Sequence, residues 1–219
     1  MNQIDQKLRH EVAWRGDDYA AKLANKLVTV CGCGALGSNL VDSLARMGVP
    51  KIRVVDFDRI EASNVGTQVW SSSDVGAFKT EAMKRHAFKA AGVEIEAITK
   101  MLDESNVKST FRHSQLVVDC FDNADSRRVV RDACKLHSMP CLHAGMSNDG
   151  FAEVTWNDSY KIPKANAGGD PCDVPLTRSL VLLTVGVMVE EIMNFFLAKK
   201  ARMKNWTITI NDLQIRETK

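Results

Sequence analysis

Residues 27–58 read LVTVCGCGALGSNLVDSLARMGVPKIRVVDFD, and this stretch decides the fold. Residues 26–31 are a short β-branched apolar run, which suits a strand covered on both faces. Gly32, Gly34 and Gly37 follow as G-x-G-x-x-G. Glycine at this spacing permits a sharp turn and a close approach of backbone to phosphate. Over residues 38–47 apolar side chains recur at 40, 41, 44 and 47, a helix period, and Gly48, Val49 and Pro50 end it. KIRVVDFD then starts a second strand. Strand, glycine turn, helix and strand make a βαβ unit with parallel strands. Cys31 and Cys33 raise a rival reading, a metal or redox pair, but the neighbouring sequence supplies no further ligands.

The alternation continues outward. Polar and apolar residues mix at helical spacing over 5–25, which predicts an N-terminal helix or helix pair. Residues 79–91 read as a helix, 93–99 and 115–120 as strands, 126–138 as a helix and 140–144 as a short strand. Beyond Gly150 the character changes. FAEVTW (151–156) predicts a strand, and residues 158–175 form a polar loop rich in Gly and Pro. Structureless loops of that length in compact domains are usually functional or mobile. An apolar helix follows from Leu180, and WTITINDLQI (206–215) reads as one closing strand. The expected fold class is α/β, a Rossmann-like doubly wound, mostly parallel sheet. One domain is expected over 1–219: a helical segment over 1–25, a nucleotide-binding core over 26–150, and an extension over 151–219.

Composition narrows the function classes. The chain has 219 residues, 45% apolar and 26% charged, with a net charge of +2. That balance offers no electrostatic case for nucleic acid or membrane partners. Residues 179–198 are nearly long enough to span a bilayer, but Glu190, Glu191 and Asn194 sit inside them. Charge is costly in lipid, so a packed or subunit-interface helix is expected. The first residues lack the apolar core of a signal peptide. The six cysteines include no C-x-x-C pair, so a reducing cytoplasmic setting and no structural zinc are expected.

The candidate site lies at the ends of the strands. The helix N-terminus after the glycines can face phosphate oxygens with its free N–H groups. Asp56 ends the second strand, where a carboxylate can bind ribose hydroxyls. A nicotinamide dehydrogenase fits these two features equally well. Asp58, Ser63 and Asn64 add a polar cluster, and Lys79 opens the next helix, where an ammonium can reach phosphate. Asp119, Asp122, Asn123 and Asp125 follow a buried strand. Carboxylates there suit Mg²⁺, a hard cation that often bridges to nucleotide phosphates. Helix capping is the alternative for this cluster, and for Asp125 in particular. Hydride transfer needs neither magnesium nor a phosphate lysine, whereas nucleotidyl transfer needs both.

GCGALGSN, VVDFDRIEASN, DVGAFKTEA and VVDCFDNADSRRVVRDAC occur in that order over about residues 26–145. In these motifs the sequence resembles the ThiF/MoeB group of the ubiquitin-activating enzyme superfamily. The resemblance implies adenylation, with MgATP, of the C-terminal glycine carboxylate of a small ubiquitin-like, β-grasp carrier protein by a homodimer. It implies that Gly32 to Gly37 wrap the phosphates and that Asp56 holds the ribose. Asn64 and Lys79 would contact phosphate, Asp122 would hold magnesium, and Asn123 would sit beside the nucleotide. Two arginine positions of the family are filled differently, by Thr67 and His10. Arg9, Arg15, Arg127 and Arg178 are the cations left to compensate. Cys172, in GGDPCDVPLTR, resembles the acceptor cysteine of the family's crossover segment. Two other readings stand beside this one: an enzyme of the tRNA threonylcarbamoyladenosine dehydratase type, and a non-catalytic partner subunit.

Overall fold

The computed structural model describes residues 6–157, 159–162, 176–198 and 203–218. In chain order the helices are α1 (Arg9–Arg15), α2 (Tyr19–Leu23), α3 (Ala35–Arg46), α4 (Lys79–Ala91), α5 (Val107–Thr110), α6 (Ala124–Leu136) and α7 (Arg178–Leu197). The strands are β1 (Leu27–Cys31), β2 (Lys51–Val55), β3 (Glu96–Ile98), β4 (Leu116–Asp119), β5 (Cys141–Met146), β6 (Phe151–Trp156), β7 (Asn205–Thr209) and β8 (Gln214–Thr218). They form one sheet in the order β3-β2-β1-β4-β5-β6-β7-β8. β1 to β5 pair in parallel, and β6, β7 and β8 add antiparallel strands to one side. The doubly wound, mostly parallel sheet expected from the glycine-turn unit is therefore present.

Strand periodicity sorts side chains onto two faces. Val28, Val30, Val54, Leu116 and Val118 pack with Leu40, Leu44, Met188 and Ile192 of α3 and α7. Cys31, Val55 and Val117 point the other way, towards Val107, Phe111, Val130 and Cys134 of the α5–α6 layer. Burial of each such aliphatic side chain contributes about 1.5–3 kcal/mol, which is why both faces must be covered. α7 is the one described helix long and apolar enough to cross a membrane, and here it packs on α3 and on the β5–β7 part of the sheet.

Its interior charge has a partner set. Glu191 is buried and accepts hydrogen bonds from the indoles of Trp156 (3.1 Å) and Trp206 (2.8 Å) and from Lys204 N (3.2 Å). Those bonds tie the helix to β6 and β7, and they account for a carboxylate inside an apolar run.

Several boundaries shift by one or two residues from the sequence reading, and three differences have a local cause. Helix α3 begins at Ala35, not residue 38, because Gly34 is already its N-cap and Gly37 lies in the first turn. β3 is three residues, shorter than the alternating run over 93–99. The closing strand is instead the hairpin β7–β8, turned at residues 210–213 with Leu213 at φ +51°. The Asn211–Asp212 pair is the turn signal within that stretch.

Candidate nucleotide site

The glycine turn is built by contacts that only glycine allows. Gly32 leaves β1 at φ +91°, and a Cβ there would stand 2.9 Å from Cys120 O. A Cβ on Gly37 would stand 1.9 Å from Gly32 O, so the third glycine lets α3 close on the turn. At Gly34 a Cβ would meet nothing within 4 Å. That position is open, and no side chain caps the helix there. The first N–H groups of α3 are thus left for a ligand to satisfy.

The two cysteines of the turn are interior residues. Both are fully buried, and they lie in different core clusters, Cys31 with the α5–α6 layer and Cys33 with the α3–α7 layer. Burial pushes both thiols well above their ordinary pKa. Cys31 and Cys33 thus cannot jointly face one metal, and neither is a poised nucleophile.

Asp56 follows β2 and braces the turn. Its Oδ2 accepts Cys33 N at 2.6 Å, and its Oδ1 accepts Asp58 N at 2.8 Å. Burial raises its pKa, with the Lys79 charge and the two backbone donors working against that. Each carboxylate oxygen retains acceptor capacity for a hydroxyl. Lys79, the first residue of α4, is buried, and its Nζ pairs with Asp58 Oδ2 at 2.9 Å. Burial opposes its charge, but Asp56 and Asp58 together outweigh that and raise its pKa. A cation is therefore held beside the turn at neutral pH.

Asn64 sits in a short 3₁₀ turn, Ala62–Gly66, where its Oδ1 accepts Glu61 N. Asn39 of α3 ties that turn to the site by donating to Thr67 O at 2.9 Å. Asp122 is exposed after β4, with Oδ1 3.3 Å from Asn123 Nδ2. Asn123 caps α6 by accepting Ser126 N, whereas Asp125 pairs with Arg128 on the surface. The capping role open to this cluster thus falls to Asn123 rather than Asp125. The β4 turn meets the glycine turn through Cys120, whose N–H donates to Cys31 O at 2.8 Å.

The candidate arginines separate. The Arg15 guanidinium pairs with Glu11 and with Glu190 of α7, both at 2.6 Å. Arg9 is exposed on the same helix, and no described hydrogen bond or ion pair joins either residue to the glycine turn. Arg127 points inward, to Tyr160 and Ala144 O. Arg178, at the start of α7, is exposed and donates to Gln68 O at 3.2 Å, one residue beyond Thr67. Cys172 lies outside the described residues. No cluster of three or more His, Cys, Asp or Glu able to hold a metal occurs among the described residues. A cavity of about 800 Å³ opens at the other end of β5 between Met139, Tyr160 and Met203, away from this chemistry.

His143 and Tyr160, both buried beside β4, carried no readable sequence signal. A histidine in the short run CLHAGM shows neither motif nor spacing.

Known proteins resemble this chain in sequence, and solved structures resemble it in fold. The chain aligns with tRNA threonylcarbamoyladenosine dehydratase 2 of Saccharomyces cerevisiae at 37% identity, over 57% of the chain and 29% of that protein. It aligns with the SAMP-activating enzyme E1 of Haloferax volcanii at 33% identity, over 66% of the chain and 54% of that protein. The chain thus spans about half or less of these relatives. The crystal structure of E. coli MccB with ATP superimposes with a TM-score of 0.81 at 20% identity, over 100% of the chain and 71% of MccB, which is a likeness of fold. The ThiF family pattern matches residues 7–219, and the chain belongs to the ThiF family.

Proposed function

We propose that this protein binds MgATP at the glycine turn and adenylates the terminal carboxylate of a small carrier protein. The observation that carries this reading is the buried Lys79 ammonium, held by Asp58 and Asp56 beside an uncapped helix N-terminus. The names of relatives support it, among them the sulfur carrier protein adenylyltransferase of Thermus thermophilus, 35% identical over 58% of this chain and 48% of that one.

In this reading the carrier carboxylate attacks the α-phosphorus, and the bond to pyrophosphate breaks. Two anions approach, so oriented donors and cations must offset their charge. The α3 N–H groups and Lys79 do so, with Lys79 exchanging Asp58 for phosphate. Asp56 binds the ribose, while Asn64 and Asn123 border the nucleotide. Asp122 would hold magnesium through a single carboxylate, and the ion would supply further positive charge against the phosphates. Arg178, hydrogen-bonded at the 62–68 turn, supplies the cation that Thr67 does not. Cys172 then accepts the acyl group from the adenylate, with AMP leaving. Arg9 and Arg15 belong to a homodimer contact, supported by exposed Trp14 on α1 and Leu182 on α7. A cytoplasmic setting is part of the same proposal.

The alignment with the yeast dehydratase favours a second reading, adenylation of a carboxylate borne on tRNA. ATP–pyrophosphate exchange separates them. Exchange that needs a carrier protein supports the first, and exchange that needs tRNA supports the second. A folded protein that exchanges with neither favours the reading as a non-catalytic partner subunit. Cys172→Ala should keep exchange and lose any reducible carrier adduct; an adduct that persists removes that role.

A further inference from the structure

Behind the β4 turn lies a buried polar unit that the nucleotide reading does not use. Asp119, His143, Arg127 and Tyr160 come from β4, β5, α6 and the chain just after β6, and all four are buried. His143 Nδ1 lies 2.8 Å from Asp119 Oδ2, and its Nε2 lies 2.8 Å from Asn157 Oδ1. Asn157 Nδ2 donates to Met139 O, which fixes the orientation of that amide, so both ring nitrogens face acceptors. Arg127 lies 3.8 Å from Asp119 Oδ2 and donates to Tyr160 Oη at 2.9 Å and to Ala144 O at 2.8 Å. Tyr160 stacks on His143 with centroids 3.8 Å apart. Gly145 makes room for this, since a Cβ there would stand 3.3 Å from Arg127 Nη2.

Buried charge is an inefficient way to stabilise a fold, because apolar side chains of similar volume do as well or better. What the unit grips is therefore informative. The second Asp119 oxygen accepts Phe121 N at 3.1 Å, and α6, the helix that carries Arg127, opens at Asn123, whose carbonyl accepts the backbone N–H of Arg127 at 3.2 Å. These two bonds bracket Asp122. We propose that the Asp119–His143 pair, braced by Arg127 and Tyr160, is a positioning unit. It holds the Asp122–Asn123 turn for magnesium and phosphate, and couples that turn to the chain leaving β6. The inference rests on the reading that MgATP binds at this turn.

The test compares the full chain with His143→Ala, His143→Gln and Tyr160→Phe, using two readouts. The first is amide hydrogen exchange at Phe121 and Asp122 without nucleotide or metal. His143→Ala should speed it about tenfold or more, and His143→Gln, which can still donate to Asp119, should recover part of the protection. The second is the Mg²⁺ concentration for half-maximal ATP binding, expected to rise about tenfold in His143→Ala, as for other supports of a metal ligand. Unchanged amide exchange at the turn in folded His143→Ala, or an unchanged Mg²⁺ requirement, overturns the inference. Should His143→Ala fail to fold, Tyr160→Phe keeps the ring stack, removes only the Arg127 contact, and is judged by the same two readouts. Faster exchange at the turn in a protein whose parent binds no MgATP supports the brace and refutes the nucleotide reading instead.

Discussion

Two strands flank β1, and a buried aspartate stands at the end of each: Asp56 after β2 and Asp119 closing β4. Their local chemistry is nearly the same. Each gives one oxygen to the backbone N–H two residues on, Asp58 N in one case and Phe121 N in the other. Each has a cation nearby, Lys79 or Arg127. They differ in what covers them. The second Asp56 oxygen accepts a glycine-turn N–H, and its neighbour Lys79 reaches for an exposed carboxylate that phosphate can replace. The second Asp119 oxygen meets a histidine, and its arginine is locked to a tyrosine and a carbonyl. Nearly the same turn is thus read as a ligand site where a cation stays exchangeable, and as a brace where every group is locked.

The largest expected effect tests the closed turn. Asp119→Ala leaves Arg127 buried without its carboxylate and should cost about 3–5 kcal/mol in urea unfolding. Asp56→Ala should cost less than that, because the buried Lys79 ammonium keeps the Asp58 carboxylate as its partner; equal losses would break the comparison. Next is the open turn. Lys79→Ala should lower ATP–pyrophosphate exchange by about 10²–10³, the usual loss for one preorganised donor. Asp122→Ala should abolish exchange too, with an unchanged Tm, since that side chain is exposed. Normal exchange in either variant would undo the site.

The glycines sharpen the same contrast. Gly37→Ala places a methyl against Gly32 O and should cost up to about 3 kcal/mol of stability. Gly34→Ala meets no atom in the free protein, so unfolding should shift by less than about 0.5 kcal/mol while ATP binding weakens. Wild-type ATP affinity in Gly34→Ala would mean that the open position faces no phosphate.

The last test is a half-buried reference. For Asp42 on α3, burial acts to raise the pKa, but His86 and Arg46 outweigh it and the net shift is downward. A folded pKa below the unfolded one stabilises above the unfolded value and is lost as pH falls through the folded value. Asp42→Asn should therefore flatten the acid limb of stability against pH and cost under about 1 kcal/mol at pH 7. A loss as large as that of Asp119→Ala would show that burial is not what separates the two aspartate turns.

The sequence alone determined the central unit. An apolar run, three glycines, a helix period and a second run ending in Asp56 permit few arrangements, because parallel strands need a crossover and the turn needs residues without Cβ. The places of Asp122 and Asn123 were legible for a related reason, since polar residues just after a buried strand fall at one sheet edge, whereas Lys79 was placed by the start of its helix. Pairings between distant segments were not legible. Nothing local connects Asp119 with His143, 24 residues on, or Glu191 with Trp156 and Trp206. The β7–β8 hairpin needed β6 as its template, and Arg178 reached Gln68 across 110 residues. Tertiary structure alone decided which cysteines are interior, which arginine reaches the 62–68 turn, and which aspartate is locked to a histidine, because burial belongs to the assembled layers and not to any one segment.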